Sequence, residues 1–570
     1  MNRRDFLTKA GIIAGGGLIG GTLVHQAISR FGSVDAARAQ GLDPLNPDAF
    51  RNPLPVPGRD GFLGSFEPNG EPFEISTIPA DRQITGGTAD FMNLYRIEQN
   101  GKTWYNPVLR VRNGEQFRMT LNNDLTQPTI IHWHGMHVDW KNDGHPSDVV
   151  ETGDSYQYDF QIRNRGGMYW YHPHPHGMTG AQVAKGMAGF LLVEDENDDR
   201  LRDALDLEFG VTELPLVIQD RKLLENGDVL YNPNPMEAFL GYHGDTIFSN
   251  YTAGASLDVD NRIYRLRILN GSNSRAYGLA FTDGSRRLPF QVIGGDAGLL
   301  EQPHRAEAVY LSAGERLDIL MDFSQVSTGE TVFLESLEFN PMLQPMGGGM
   351  MGGRDGGGMG GMMGGQRGRM GGNDEGRGMM GGQGGMMGRM MGGMALEPGA
   401  HFYVQRFHVT GDVSYDKTVP ERLSQVPTVD TAGARTRPFE LTHQMMQWLI
   451  NGRQFQMLQV VEEVQQGDTE IWEIRNSQSS QPHPMHIHGF QFSVLERINS
   501  PGQVSALAVD GSGRQVNDLG AKDTVLVWPG ETVRIAVDFS HDFSGEQLYL
   551  FHCHMLEHSD NGMMINYKVV

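Results

Sequence analysis

The chain has 570 residues, 46 basic and 69 acidic side chains, and a formal net charge of −23. That length exceeds what one hydrophobic core needs and divides into three or four domains. The negative charge argues against a nucleic-acid backbone as partner and favours small cations around the molecule. A single cysteine, Cys553, excludes an internal disulfide, so the fold must stand on its cores.

The first 39 residues read as a targeting segment. Paired Arg3 and Arg4 precede Phe6 and Leu7, a glycine-rich apolar run follows, and Ala37-Arg38-Ala39 supplies a small-x-small cleavage site. The apolar run is too short and too glycine-rich for a good membrane helix. The segment resembles a twin-arginine export signal, so the export machinery is an expected partner and the periplasm, or another exported location, the expected address. Without it the chain is still more acidic, near −26.

Beyond the signal, short β-rich runs such as "FRMTLNN", "TIIHWHG", "YQYDFQI", "YRLRILN", "LDILMDF", "TEIWEIRN", "FSVLERI" and "TVRIAVDF" alternate with Gly, Asn, Asp and Pro clusters. Such spacing predicts an all-β chain of sandwiches or barrels. About three sandwich-sized units fit, with breaks near residues 200 and 420, giving 40–200, 201–420 and 421–570. The middle unit is interrupted at 346–394 by a tract holding 24 Gly and 14 of the chain's 31 Met, with no histidine, aromatic or β-branched residue. So much glycine cannot repay its ordering entropy by burial, which predicts a mobile excursion.

Four short segments then stand out: "HWHG" (132–135), "WYHPHPHG" (170–177), "HPMHIHG" (483–489) and "HCHMLEH" (552–558). Roughly 0.7 His-x-His triplets would arise by chance at this composition, and the chain has five. Residues two apart on a strand share a face, so each triplet can aim two imidazoles in one direction. A lone pair would be unremarkable, but several together mark a metal cluster. Many imidazoles with one thiolate suit copper, iron or zinc. Cys553, His558 and His483, with Met563 ten residues past the cysteine, have the composition of a blue-copper site with a weak axial thioether. Alternation turns His552 and His554 away from Cys553, toward a second site, so the cysteine serves as ligand and as electron connection.

In these residues the chain resembles the multicopper oxidases, whose four copper-binding motifs it matches in order over essentially the whole mature length. The resemblance implies an all-β fold of three consecutive cupredoxin (Greek-key β-sandwich) domains, the first and last carrying ligands to four copper ions. It assigns His483, Cys553, His558 and Met563 to a type 1 copper, and His132 and His486 to a type 2 copper. His134, His172 and His554 then hold one type 3 ion, and His174, His488 and His552 the other. His176 is read as a neighbouring or surface residue, not a ligand. The family's activity is the oxidation of a substrate near His483, one electron at a time, coupled to reduction of dioxygen to water. Asp143, in "DGHP", sits where the family keeps an acid beside the cluster, although a plain Asp-Gly turn explains it equally well. Copper-detoxifying members tend to place a carboxylate directly after the last histidine; here Ser559 intervenes and Asp560 is the candidate proton carrier.

Two reductants are expected. Thioethers select Cu(I), and fourteen of them on an acidic exported chain suggest a cuprous oxidase in copper tolerance. Against this, Ser479 and Gln481 stand where known cuprous oxidases have an Asp/Met pair, and the methionine tract lies in the second unit, not the third. The alternative is a laccase-like oxidase of phenols or aromatic amines, for which a shallow site near His483 suffices. A metal-free structural relative, a copper-storage protein and a two-domain nitrite reductase each fit less well. All the ligands remain, a trinuclear oxygen site is not needed for storage, and a third unit is present. A monomer is expected.

Overall fold

The computed structural model describes residues 41–80, 89–91, 93–341 and 396–570. The predicted export signal, 1–39, and the methionine-glycine tract, 346–394, lie outside the described residues. Among those residues no helix is long and apolar enough to cross a membrane.

Six sheets follow one another in three pairs along the chain: six and five strands, then seven and eight, then six and five. All eight β-rich runs fall on strands, among them Gln116–Asn123, Ile263–Asn270 and Thr532–Asp538. Each sheet pair encloses its own apolar core. The first is built around Ile75, Leu121 and Trp133, the second around Ile268, Ile319 and Phe407, and the third around Trp472, Ile535 and Phe551. Cys553 and Met563 belong to the third core. One strand crosses between units: Asn52–Pro53, in the first unit by sequence, pairs in parallel with Ala255–Asp260 of the second.

The sequence reading missed a ten-residue helix, Glu196–Leu205, between the first and second units. Asp195 caps it, accepting from the amides of Asn197 and Asp198, and the acidic first turn complements the helix dipole. Its Asp198 enters a buried charge network, 2.7 Å from both Arg265 and Arg267. Glu213 is fully buried in the same network, 2.7 Å from Arg267 and 2.6 Å from Arg202. Burial opposes ionisation of Glu213, but the three guanidiniums of Arg267, Arg265 and Arg202 outweigh it and hold the carboxyl well below its usual range.

Removing one member of such a network leaves buried charge uncompensated. Glu213→Gln should destabilise the second unit by about 3–5 kcal/mol, read as a lowered denaturant midpoint. Because the folded-state pKa is depressed, the stabilisation is complete above the unfolded value near 4.5 and is lost as pH falls below it. The variant should therefore lose stability less steeply than wild type on acidification. Equal acid slopes would count against a stabilising role for Glu213.

Candidate metal centre

The histidines are brought together by two pairs of neighbouring strands. Ile131–His134 runs antiparallel to Gly167–Pro173 with His132 opposite His172. In the third unit His483–Ile487 runs antiparallel to Gln547–Cys553, with His486 opposite His552 and Met485 opposite Cys553. Most of Gln547–Cys553 is buried on both faces. One face joins the core of the third unit and the other meets the first unit, so this strand shows no apolar/polar alternation in sequence. All ten candidate histidines are buried.

The smaller site has the thiol at its centre. Cys553 Sγ lies 3.5 Å from Nδ1 of His483 and 3.5 Å from Nδ1 of His558. His558 donates its Nε2–H to Phe239 O at 2.9 Å, which leaves Nδ1 as a bare lone pair toward the sulfur. Met563 is fully buried in the same core, and its backbone clamps the loop. Its N–H donates to His558 O at 2.8 Å and its carbonyl accepts from Cys553 N at 3.1 Å. Burial and Glu557 push the Cys553 thiol up, so a bound cation is what would hold a thiolate there. Burial and, at His483, repulsion from His558 keep both imidazoles neutral, the ligand form.

The larger cluster shows more directly that it is built for metal. His132 Nδ1 donates to Asp143 O at 2.7 Å and His486 Nδ1 to Asp523 O at 2.9 Å. In the neutral, metal-binding form of each ring Nε2 is then the lone-pair nitrogen, and the two Nε2 atoms face each other at 3.3 Å. No hydrogen bond can form between two lone pairs, whereas a cation satisfies both. The same holds for His488 and His552. Their Nδ1 atoms bond Asp143 Oδ2 at 2.7 Å and Cys553 O at 3.0 Å, and their Nε2 atoms face at 3.0 Å, with His174 Nε2 3.4 Å from that of His552. His134, His172 and His554 are mutual neighbours, with ring centroids 4.9–5.6 Å apart. His134 Nδ1, His172 Nε2 and both nitrogens of His554 have no hydrogen-bond partner among the described residues. Burial and mutual repulsion lower these histidines, His172 to about 3. The donor set of neutral imidazoles and one soft sulfur fits copper.

Asp143 lies beside the cluster. Its Oδ2 orients His488 while Oδ1 is buried without a hydrogen-bond partner, and burial with Asp139 nearby pushes its carboxyl well above the usual range. Asp560 is placed differently from Asp143. It accepts from the amides of Thr179 and Gly180 at 3.1 and 2.8 Å, its hydrogen bonds reach no cluster histidine, and burial raises it to about 7. Ser559 points its hydroxyl toward Met564 Sδ at 3.9 Å. His176 is exposed, its ring against Phe455.

Several contributors carried no sequence signal. Asp523 accepts from His134 Nε2 at 2.9 Å and is gripped by Arg316. Glu557 sits inside "HCHMLEH" without any spacing that marks it; it is buried and accepts from Tyr231, Asn273 and Tyr242 N at 2.8–3.0 Å. Such long-range pairings leave no periodic trace in a sequence. A shallow site near His483 would suffice for the phenol-oxidising alternative, but that imidazole has no exposed surface. Trp448 covers it, with ring centroids 4.6 Å apart, and Trp448 itself stacks at 4.8 Å on Phe239.

The fold and donor set thus define an all-β copper protein with one thiolate site and one larger histidine cluster. Residues 92–198 and 422–570 each match a family model described as multicopper oxidase. The McoA multicopper oxidase of Aquifex aeolicus is 37% identical with a TM-score of 0.74, covering 91% of this chain and 99% of that one. A multicopper oxidase of Staphylococcus haemolyticus is 27% identical over 81% of both chains. The laccase of Bacillus subtilis is 28% identical over 76% of this chain and 78% of its own. The chain belongs to the multicopper oxidase family, its three sheet pairs are cupredoxin domains, and it is an oxygen-dependent oxidase.

Proposed function

We propose that this oxidase is exported and takes Cu(I) as its reductant, in copper tolerance. His483, Cys553, His558 and Met563 would hold a type 1 copper, and His132 and His486 a type 2. His134, His172 and His554 would hold one ion of a type 3 pair, and His174, His488 and His552 the other. Bound there, copper supplies one-electron acceptance from the substrate and the reduction of dioxygen to water. The chain's own part is to hold, connect and protonate. Cys553 links the two sites covalently through His552 and His554. The buried cluster walls exclude bulk water from the site. Asp143 holds a proton at Oδ1 while keeping His488 oriented through Oδ2.

The observation that carries the choice of Cu(I) is the tract of 14 methionines at 346–394 on a chain of charge −23. Burial of His483 beneath Trp448 agrees with it, since a bulky phenol has no imidazole edge to touch. Met445 and Met446 are exposed on the turn just before Trp448, and Met236 is exposed on the helix Pro235–Leu240 that carries Phe239. Exposed thioethers thus stand on the same turn and helix that carry Trp448 and Phe239, the rings over His483. The twin-arginine leader supports export.

The test compares kcat/KM for Cu(I) and for 2,6-dimethoxyphenol in the copper-loaded chain with and without residues 346–394. Deletion should lower Cu(I) turnover by about tenfold or more, ~1.4 kcal/mol of barrier, and spare or raise phenol turnover. Unchanged Cu(I) turnover would make the tract a linker and move the phenol-oxidase reading ahead.

A further inference from the structure

The second domain contributes none of the ten histidines, yet its turn 312–316 touches His554 directly and reaches His134 through Asp523. Gly314 has φ +87°, and a Cβ there would lie 2.9 Å from Cγ and 3.0 Å from Nδ1 of His554. Neither nitrogen of that ring has a protein partner, so packing alone holds it within the chain, and the bare Cα of Gly314 forms one wall. Two residues on, Arg316 clasps the Asp523 carboxylate with both Nη atoms, Nη1 at 2.8 Å from Oδ1. Asp523 Oδ1 accepts from His134 Nε2 at 2.9 Å, which leaves Nδ1 as that ring's free ligand atom. Arg316 is itself fixed from two domains, donating to Met168 O at 3.0 Å and Asp296 O at 2.7 Å. Space for the clasp comes from Gly135, where a Cβ would meet Asp523 Oδ2 at 2.3 Å and Arg316 Nη2 at 2.8 Å. The glycine of "HWHG" is thus required by a contact with the other two domains.

We propose that the turn 312–316 of the second domain is a positioning element for one half of the type 3 pair, setting the orientation of His554 through Gly314 and of His134 through Arg316 and Asp523. The inference rests on the reading of His134, His172 and His554 as ligands of one ion. A carboxylate behind a ligating imidazole fixes its tautomer and ring plane, and losing it typically costs about 10–100-fold in metal affinity. The turn extends that control to a domain that holds no ligand.

The experiment uses the full chain loaded with copper and three variants, Gly314→Ala, Asp523→Asn and Gly329→Ala. Gly329 has φ +94° with nothing within 4 Å of a built Cβ, so it carries the same backbone strain in the same domain without touching a histidine. Copper per chain, the blue band, the near-ultraviolet band of a bridged copper pair and the electron paramagnetic resonance of uncoupled Cu(II) are measured, with a chelator titration for affinity. Gly314→Ala and Asp523→Asn should keep the blue band but lose the near-ultraviolet band and bind pair copper about 10–100-fold more weakly, while Gly329→Ala matches wild type. Asp523→Asn is nearly isosteric, but both Asp523 oxygens face donors, so either orientation of the amide sets an N–H against Arg316 or His134 and breaks the clasp, even should Gly314→Ala fail to fold. The inference is overturned if both variants keep the coupled pair at wild-type affinity, or if Gly329→Ala loses it equally. A wild-type chain that shows blue copper but no coupled pair would instead overturn the ligand reading, and the inference with it.

Discussion

Replacing Cys553 with serine should abolish the blue absorption and all measurable turnover while the three domains remain folded. The band requires a thiolate on the metal, and the chain has no second cysteine to supply one. Both flanking imidazoles present Nδ1 to this sulfur at 3.5 Å, so an oxygen in its place offers a harder, poorer donor to the same geometry. The loss is also one of connection, because Cys553 is the residue that ties His552 and His554 to the smaller site. The stability cost is modest by comparison. A buried hydroxyl replacing a thiol in the core of the third domain costs about 1–3 kcal/mol, spread over a domain with a large apolar core. Copper content, the visible spectrum and oxygen consumption decide it. A serine variant that still consumes oxygen at the wild-type rate with either reductant would sink the proposed electron connection.

Asp143→Asn should lower kcat by about 10²-fold or more, the scale of a lost proton donor, with copper content close to wild type. The two effects separate because Asp143 serves the cluster in two ways. Its carbonyl accepts from His132 Nδ1, and one side-chain oxygen accepts from His488 Nδ1; an asparagine can make both bonds. It cannot hold and release a proton at the second oxygen, which lies buried without a partner. Asp143→Ala should add a loss of copper affinity, because His488 is then left without its orienting acceptor. Equal kcat for the Asp143→Asn variant and the wild-type enzyme would leave Asp143 as the residue that orients His488 and remove it as a proton donor.

The strands of this fold were legible because their β-rich runs are local and turn residues punctuate them. "FRMTLNN" and "TVRIAVDF" lie where the structure has Gln116–Asn123 and Thr532–Asp538. The helix Glu196–Leu205 was not read, since its stability comes from a cap and from ion pairs to Arg265 and Arg267, far along the chain in the second domain. The division of labour at the metal centre follows the same line. The candidate ligands were readable because a metal demands particular atoms at strand spacing, which put His132, His134, His552, Cys553 and His554 in plain view. Which nitrogen of each ring is free, that Asp523 and Arg316 stand behind His134, that Gly314 walls His554, and that Trp448 seals His483 were decided only by tertiary structure. These depend on groups set apart in the sequence, several of them from different domains, meeting in a buried space, where one missing hydrogen bond or one added Cβ carries a large cost. A linear pattern records the face a residue takes on its own strand and says nothing about what arrives opposite it.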